Sequence, residues 1–304
     1  MINLNAFGAC TSNTPGTGTG QCPIDQLGDM LGIALLNKGV TLDVVTDSLN
    51  EASFRTLITT GKLHQLLDRE AFEQNTPEND LYTSPEGLIT SIRAGKPQFG
   101  LTYSKGLCFH KALYDLQGKN RWDAILYFDK GMLMATNASN TKVKGFDAGS
   151  LIVGTYMFQQ GTEIEKGKAT IQFKSAEEFN TRWAYFSYDE LGFSPLEIDG
   201  VIDTNLKFQQ DPAVAATEVS VKVLDGCNTS INYSSLFDSV GDYTLRVGGF
   251  PKTINAVTIN DGVATLTFTG ALSLGNKVEV SLNGVVADAE LNYYKSSVLT
   301  KIVV

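Results

Sequence analysis

The sequence predicts a mainly β protein: a β-sandwich or β-barrel body with a few short helices, followed by a second β-sandwich at the C-terminal end. Three observations support this fold class. From about residue 85, apolar and polar residues alternate with the period of a half-buried strand. From residue 211 onward, almost the whole sequence has the pattern of short strands and turns. The length of 304 residues suffices for two domains.

Residues 1–40 are predicted to form an N-terminal arm. Cys10 and Cys22 bracket a run rich in Thr, Gly and Ser, and Pro23 then stands at a plausible first helical position. A short helix ending before Gly39 is expected from the spacing of four apolar residues. These residues, Ile24, Leu27, Leu31 and Leu35, are the predicted arm contacts with a neighbouring subunit.

The loop between the two cysteines has three other interpretations. A phosphate-binding loop requires a lysine directly after its last glycine, but Gln21 follows Gly20. A metal site requires further ligands at paired spacing, which Cys108 and His110 do not supply. A disulfide could close the loop, although a cytoplasm would keep it reduced. An arm that docks on a partner is the preferred interpretation.

The body is predicted to span residues 41–210. A capping-box spacing at Ser48 and Glu51 indicates a helix running to Gly61, and 62–80 reads as a short helical piece followed by a surface loop. A second capping box begins a helix at 175–185. Alternation predicts strands at 98–103, 150–160, 168–174 and 198–208, and a hairpin at 123–135 that turns at residues 129–131.

Residues 211–304 are predicted to form an Ig-like β-sandwich, separated from the body by a break at 209–213. Alternating strands are expected at 219–223, 243–247, 257–259, 263–268 and 277–282. Asn260, Asp261 and Gly262 form a strong hairpin turn between two of them. Cys227 is the single cysteine of this half, so the assignment rests on strand pattern and not on a disulfide.

No catalytic, cofactor-binding or metal-binding residues are predicted, and the chain is expected not to be an enzyme. It contains two histidines and four cysteines, a small inventory for acid–base or metal chemistry. The acidic pairs Glu177/Glu178 and Glu163/Glu165 read as a helix N-terminus and as solvated surface. An aromatic cluster could stack on sugars, but a core role is favoured. Its members are Trp183, Tyr185, Phe186, Tyr188 and Phe193.

The net charge of −9 disfavours tight binding of nucleic acid, because that affinity comes largely from Lys and Arg replacing counterions. No stretch is apolar for the roughly 18 residues that a membrane span needs. The first ten residues lack a basic segment followed by an apolar one, so synthesis in a cytoplasm is expected.

The layout resembles that of bacteriophage tail tube proteins with a C-terminal Ig-like domain. The resemblance covers residues 85–304 and lies in segments 85–99, 113–116, 123–135, 145–149, 168–173 and 198–200. It implies a virion protein, made in the host cytoplasm, that self-assembles into rings, usually of six, and contacts other virion proteins. The ring would pass DNA without binding it, and an acidic lumen would repel phosphate. The alternatives are a head-decoration or fibre protein and a glycan-binding adhesin.

Overall fold

The computed structural model describes residues 27–44, 49–136 and 142–304. In this part of the chain strands predominate and helices are short, which confirms the mainly β fold. The chain divides into two compact units. The first ends at Ile198 and the second begins at Asp199.

The elements of the first unit are these. Its strands are β1 (Met30–Asn37), β2 (Leu42–Asp43), β3 (Leu63–Leu66), β4 (Ala71–Gln74), β5 (Asp80–Thr83), β6 (Ile89–Arg93), β7 (Gln98–Tyr103), β8 (Gly118–Lys119), β9 (Trp122–Phe128), β10 (Gly131–Thr136), β11 (Lys142–Lys144), β12 (Phe146–Val153), β13 (Gly167–Phe173) and β14 (Trp183–Ser187). Its helices are α1 (Glu51–Thr59), α2 (Gly106–Asp115), α3 (Ala176–Thr181) and α4 (Tyr188–Leu191), with a 3-10 turn at Pro195–Glu197.

Strand β12 joins two sheets into a sandwich. Its first residues, Phe146 and Asp147, pair with β9, while its later residues pair with β13 and β8. One sheet therefore contains β3, β1, β9, β10 and β14, and the other runs β12-β13-β7-β4. The main core fills the space between them with residues such as Leu126, Phe146 and Ile171.

The sheet around β9 is buried on both faces. Its second face carries Ile125, Tyr127 and Met132, all fully buried. Phe54 of α1 is also fully buried and stacks edge-on against Phe193 at 5.5 Å. Burial on both faces explains why the sequences of β9 and β10 are almost continuously apolar.

The helix predicted from Ile24 to Leu35 is wrong where the structure describes it, because residues 30–37 form β1. This strand pairs with β9 on one side and β3 on the other. Gly32 fits the strand because a Cβ there would lie 2.5 Å from the Leu66 carbonyl oxygen. Glycines also weaken a helix. A short apolar segment that is buried on both faces does not alternate between apolar and polar residues, so its sequence does not identify it as a strand.

Other predictions for the first unit are confirmed or corrected. The hairpin is confirmed as β9 and β10, and the predicted strands 98–103 and 168–174 correspond to β7 and β13. Ser175 caps α3 through the Glu178 N–H, as predicted, but that helix ends at Thr181. The cap of α1 is Asn50, whose side chain accepts from the Ser53 N–H. The helical piece predicted in 62–80 is wrong, since β3 and β4 lie there.

The second unit is also a two-sheet sandwich. Its strands are β15 (Val201–Phe208), β16 (Glu218–Asp225), β17 (Tyr243–Val247), β18 (Phe250–Lys252), β19 (Ile254–Asn260), β20 (Val263–Phe268), β21 (Lys277–Leu282), β22 (Val285–Ala287), β23 (Tyr293–Ser296) and β24 (Leu299–Ile302). One sheet has the order β19-β20-β16-β15-β23-β22, and the other has the order β18-β17-β21-β24. Val221, Leu266 and Val280 are fully buried in the core between them. The turn predicted at 260–262 connects β19 to β20.

The boundary between the units differs from the predicted break. The strand predicted to close the body, 198–208, is β15, which pairs with β16 and, in parallel, with β23. The division therefore lies between Ile198 and Asp199 and not near residue 210. The turn-forming residues 209–213 connect two neighbouring strands of one sheet, and local composition does not distinguish such a connection from a linker.

Candidate assembly surfaces

The most exposed apolar structure in the described residues is a β-hairpin, residues 80–93, formed by β5 and β6. All residues of both strands are exposed. Five of the hairpin's residues are large and apolar, with exposed fractions of 51–70%. They are Leu81, Tyr82, Leu88, Ile89 and Ile92. A two-stranded ribbon without a covered face is marginally stable in water, and such an exposed apolar patch often marks an interaction site.

Both faces of this exposed hairpin carry apolar side chains. Leu81 pairs with Ser91 and Thr83 pairs with Ile89, which places Leu81 and Ile89 on one face. Tyr82 lies on the other face, because successive strand residues alternate. A partner that covered a single face would therefore leave apolar side chains exposed on the other.

The tip of the exposed hairpin is a defined turn. The Gly87 N–H donates to the Ser84 carbonyl at 2.9 Å, and the Ser84 N–H donates to the Leu88 carbonyl at 2.8 Å. Gly87 has φ +82°, a conformation that glycine adopts without the steric cost of a Cβ. Pro85 is the second residue of this turn, and its ring fixes the φ angle that the turn requires there. Local sequence thus specifies the hairpin even though no core supports it.

The base of the exposed hairpin is held closely. The hairpin follows β4 and precedes β7. These two strands pair with each other over a stretch that includes Ala71 of β4 and Phe99 of β7. The Gly95 N–H donates to the Asn79 side-chain oxygen at 2.9 Å. A Cβ at Gly95 would lie 1.8 Å from the Pro77 carbonyl oxygen, so only glycine allows this approach. The hairpin therefore leaves the sheet in a set direction.

A second exposed apolar surface lies on α2 and on a short hairpin at residues 157–166. Met157 and Lys166 exchange backbone hydrogen bonds of 2.9 and 3.0 Å, and Gly161 supplies the turn with φ +61°. The exposed apolar residues here have exposed fractions of 47–66%. They are Leu107 and Tyr114 on α2, and Met157, Phe158 and Ile164 on the short hairpin.

An ion cluster with one buried carboxylate lies in the first unit. The Lys38 Nζ lies 3.0 Å from the Asp123 carboxylate and also pairs with Asp147. Asp123 is 1% exposed and accepts the Gly39 N–H at 3.2 Å. Burial acts to lower the pKa of Lys38, but hydrogen bonds to Asp147 and Asp123 outweigh it and raise that pKa. The cluster thus pairs the buried Asp123 carboxylate with a cation at the surface.

Three of the four predicted arm contacts lie in the described part of the chain, and their surroundings differ. Ile24 lies outside the described residues, and Leu27 packs against the core of its own unit. Leu31 is half-buried in β1, and Leu35 is fully buried there. Leu35 is therefore covered by its own unit, and the predicted contacts of the arm with a neighbouring subunit stay a prediction. Cys10 and Cys22 also lie outside the described residues.

The aromatic cluster lies largely inside the first unit. Tyr185 and Phe186 are buried in β14, and Trp183 packs against the main core. Tyr188 donates its hydroxyl to the Phe128 carbonyl at 2.9 Å, and Phe193 packs on α1. These rings are used in packing, as the favoured interpretation expected.

Residues considered for chemistry are dispersed. His64 packs edge-on against Trp122 at 5.2 Å, and His110 lies on α2. Cys108 lies on α2 and is exposed. Glu178 pairs with Lys144 at 2.7 Å. Among the described residues, no group of His, Cys, Asp and Glu side chains could hold a metal ion.

No protein-family model matches the chain, and no curated protein matches its sequence. Within the described ranges, no helix is both long and apolar enough to cross a membrane.

Proposed function

We propose that this protein is a non-enzymatic structural protein of a bacteriophage virion that self-assembles into rings of the tail tube. The observation that carries the proposal is the exposed hairpin, whose apolar residues cover both faces of an unsupported ribbon. A protein that remained a monomer would gain nothing from this exposure, whereas a subunit of a repeated assembly covers it with a neighbour.

Three further features support the proposal. The body is a mainly β sandwich with α2 packed beside β12 and β13, as the resemblance implies. The net charge of −9 suits a conduit that passes DNA without binding it. The second unit orders its strands as β19-β20-β16-β15 opposite β18-β17-β21-β24, and we propose that it is Ig-like because Ig sandwiches divide their strands in this way.

The rival function, glycan binding, has less support. Its candidate platform was the aromatic cluster, but Tyr185 and Phe186 are buried and Phe193 packs against Phe54. Rings used in a core cannot stack on a sugar without unfolding the segment that contains them. Head-decoration or fibre roles share the assembly chemistry and differ in location within the particle, which labelling of virions with an antibody would determine.

The test is assembly of the purified full chain, measured by negative-stain microscopy and sedimentation velocity. We expect rings or tubes, and we expect the double variant Leu88→Ser/Ile89→Ser to remain folded but monomeric. Ile302→Ser is the matched control, because Ile302 is 57% exposed in the second unit and the loss of apolar surface is similar in kind. A wild-type chain that stays monomeric at millimolar concentration and on nucleation would rule the proposal out.

A further inference from the structure

We infer that the disulfide of Cys227 joins the second unit to residues 1–108, so that this bond and the peptide chain both hold the second unit in place. Cys108 and Cys227 are both disulfide-bonded. The inference goes beyond the proposed function and does not depend on it, because it concerns a bond within one copy of the chain.

The positions of the cysteines in the sequence carry the inference. The chain has four cysteines, and Cys227 is the last of them. The other three, Cys10, Cys22 and Cys108, all precede residue 109. Whichever of the three is its partner, the bond of Cys227 closes a loop that contains at least residues 108–227. Disulfides that close long loops restrict the unfolded chain most.

The turn that carries Cys227 has a set backbone conformation. It follows β16, where Asp225 Oδ1 accepts the Cys227 N–H at 2.8 Å and the Asn228 N–H at 2.7 Å. The Gly226 N–H donates to the Asp203 carbonyl oxygen at 2.8 Å. A Cβ at Gly226 would lie 2.5 Å from that oxygen, so glycine is required there. The Cys227 sulfur is therefore presented from an ordered turn, which reduces the entropy lost when the bond forms.

Both disulfide-bonded cysteines are accessible to small molecules in solution. Cys108 is exposed on α2, and Cys227 is exposed in its turn. Exposed cysteines exchange readily with thiols and disulfides in their surroundings. A reducing cytoplasm keeps such thiols reduced, so the bond of Cys227 forms when the chain meets an oxidising environment.

A small disulfide such as oxidised glutathione is a sufficient oxidant. One cysteine thiolate attacks a sulfur atom of this molecule, which gives a mixed disulfide and releases the first small thiol. The thiolate of the second cysteine then displaces the other small thiol. The two cysteines lose two protons and two electrons in total, and the small disulfide takes them up to become two thiols.

The bond protects the connection of the second unit against cleavage of the chain. A single peptide-bond cut between residues 108 and 227, including one at the boundary between Ile198 and Asp199, leaves the two pieces joined through Cys227. A protein that meets proteases outside a cell would thereby keep its second unit.

Acid cleavage of the full chain tests the bond. Asp211–Pro212 is the single Asp–Pro bond of the sequence, and bonds of this type are cleaved selectively by warm formic acid. The folded chain is incubated with oxidised glutathione, its remaining thiols are blocked with iodoacetamide, and it is then cleaved. Acid also stops disulfide exchange, because exchange requires a thiolate. On a denaturing gel, we expect fragments 1–211 and 212–304 to migrate as one species without reductant and as two with it.

Two variants sharpen the test. Cys227→Ser should release the fragments without reductant, whereas Thr229→Ser, a change in the same exposed segment, should leave them joined. Mass spectrometry of the unreduced peptic peptide that contains Cys227 identifies the partner, and Cys10, Cys22 or Cys108 at that position supports the inference.

Two results would overturn the inference. Wild-type fragments that separate without reductant would show that Cys227 is not bonded to residues 1–108. A chain that migrates as a covalent dimer before cleavage would show that Cys227 bonds to another copy. Neither result concerns rings or tubes, so the proposed function stands or fails by its own assembly test.

Discussion

Two hairpins in the first unit have similar local design and opposite surroundings. The β9–β10 hairpin is buried along nearly its whole length, with residues such as Ile125, Tyr127 and Met134 fully buried. The β5–β6 hairpin is exposed along its whole length, with Ile89 at 68% and Ile92 at 70%. Both are antiparallel pairs joined by short turns and rich in aliphatic and aromatic residues.

The difference shows that the sequence of an apolar strand does not specify which surface buries it. β9 lies between β1 on one side and β10 and β12 on the other, and the side chains on both of its faces are buried. The β5–β6 pair forms a two-stranded sheet of its own among the described residues. The buried hairpin therefore contributes to the stability of the subunit, whereas we propose that the exposed one acts between subunits.

The largest expected contrast is in the free energy of unfolding after leucine truncation. Leu126→Ala in β9 should destabilise the first unit by about 2–5 kcal/mol, because it leaves a cavity in the core. Leu88→Ala, at a residue 66% exposed, should change it by less than about 0.5 kcal/mol. Urea unfolding of the monomer measures both. Equal effects would contradict the assignment of these hairpins to different roles.

A smaller contrast is expected for two aspartates, one in each hairpin. Asp123→Ala removes the partner of Lys38 and of the Gly39 N–H, and should cost about 1.5–3 kcal/mol as the loss of hydrogen bonds to a charged group. Asp80→Ala at the exposed base of β5 should be nearly neutral. The same unfolding measurement applies, and a neutral Asp123→Ala would show that the ion cluster of Lys38, Asp123 and Asp147 does not stabilise the unit.

The smallest effect concerns alkaline pH. Burial raises the pKa of Tyr103 and of Tyr127, so the native state retains protons that the unfolded chain releases above about pH 10. Stability should be complete below that pH and then fall by up to about 1.4 kcal/mol per pH unit for each such group. Tyr103→Phe should reduce the slope of stability against pH, measured by urea unfolding between pH 9 and 11.5.

Sequence reasoning found the buried hairpin and missed the exposed one. The turn at 129–131 is flanked by long apolar segments, and these segments predicted β9 and β10. The exposed hairpin has an equally specific turn in Ser84, Pro85, Glu86 and Gly87. The sequence before this hairpin is polar, however, and predicts a surface loop. The exposed surface on α2 and the short hairpin could not be found in this way, because tertiary contacts such as those of Tyr156 with His110 and Phe158 bring the two elements together.

The sequence by itself determined the mainly β class, several strands and their turns, and the cap of α3, because each depends on neighbours a few residues away. Tertiary structure alone decided that residues 30–37 are a strand, that β15 belongs to the second unit and that Leu35 is buried. The physical reason is pairing across long separations: Leu35 lies opposite both Ala124 and His64, and Val201 lies opposite Tyr293. An apolar run gains its free energy from whichever surface covers it, and the run itself does not encode where that surface is.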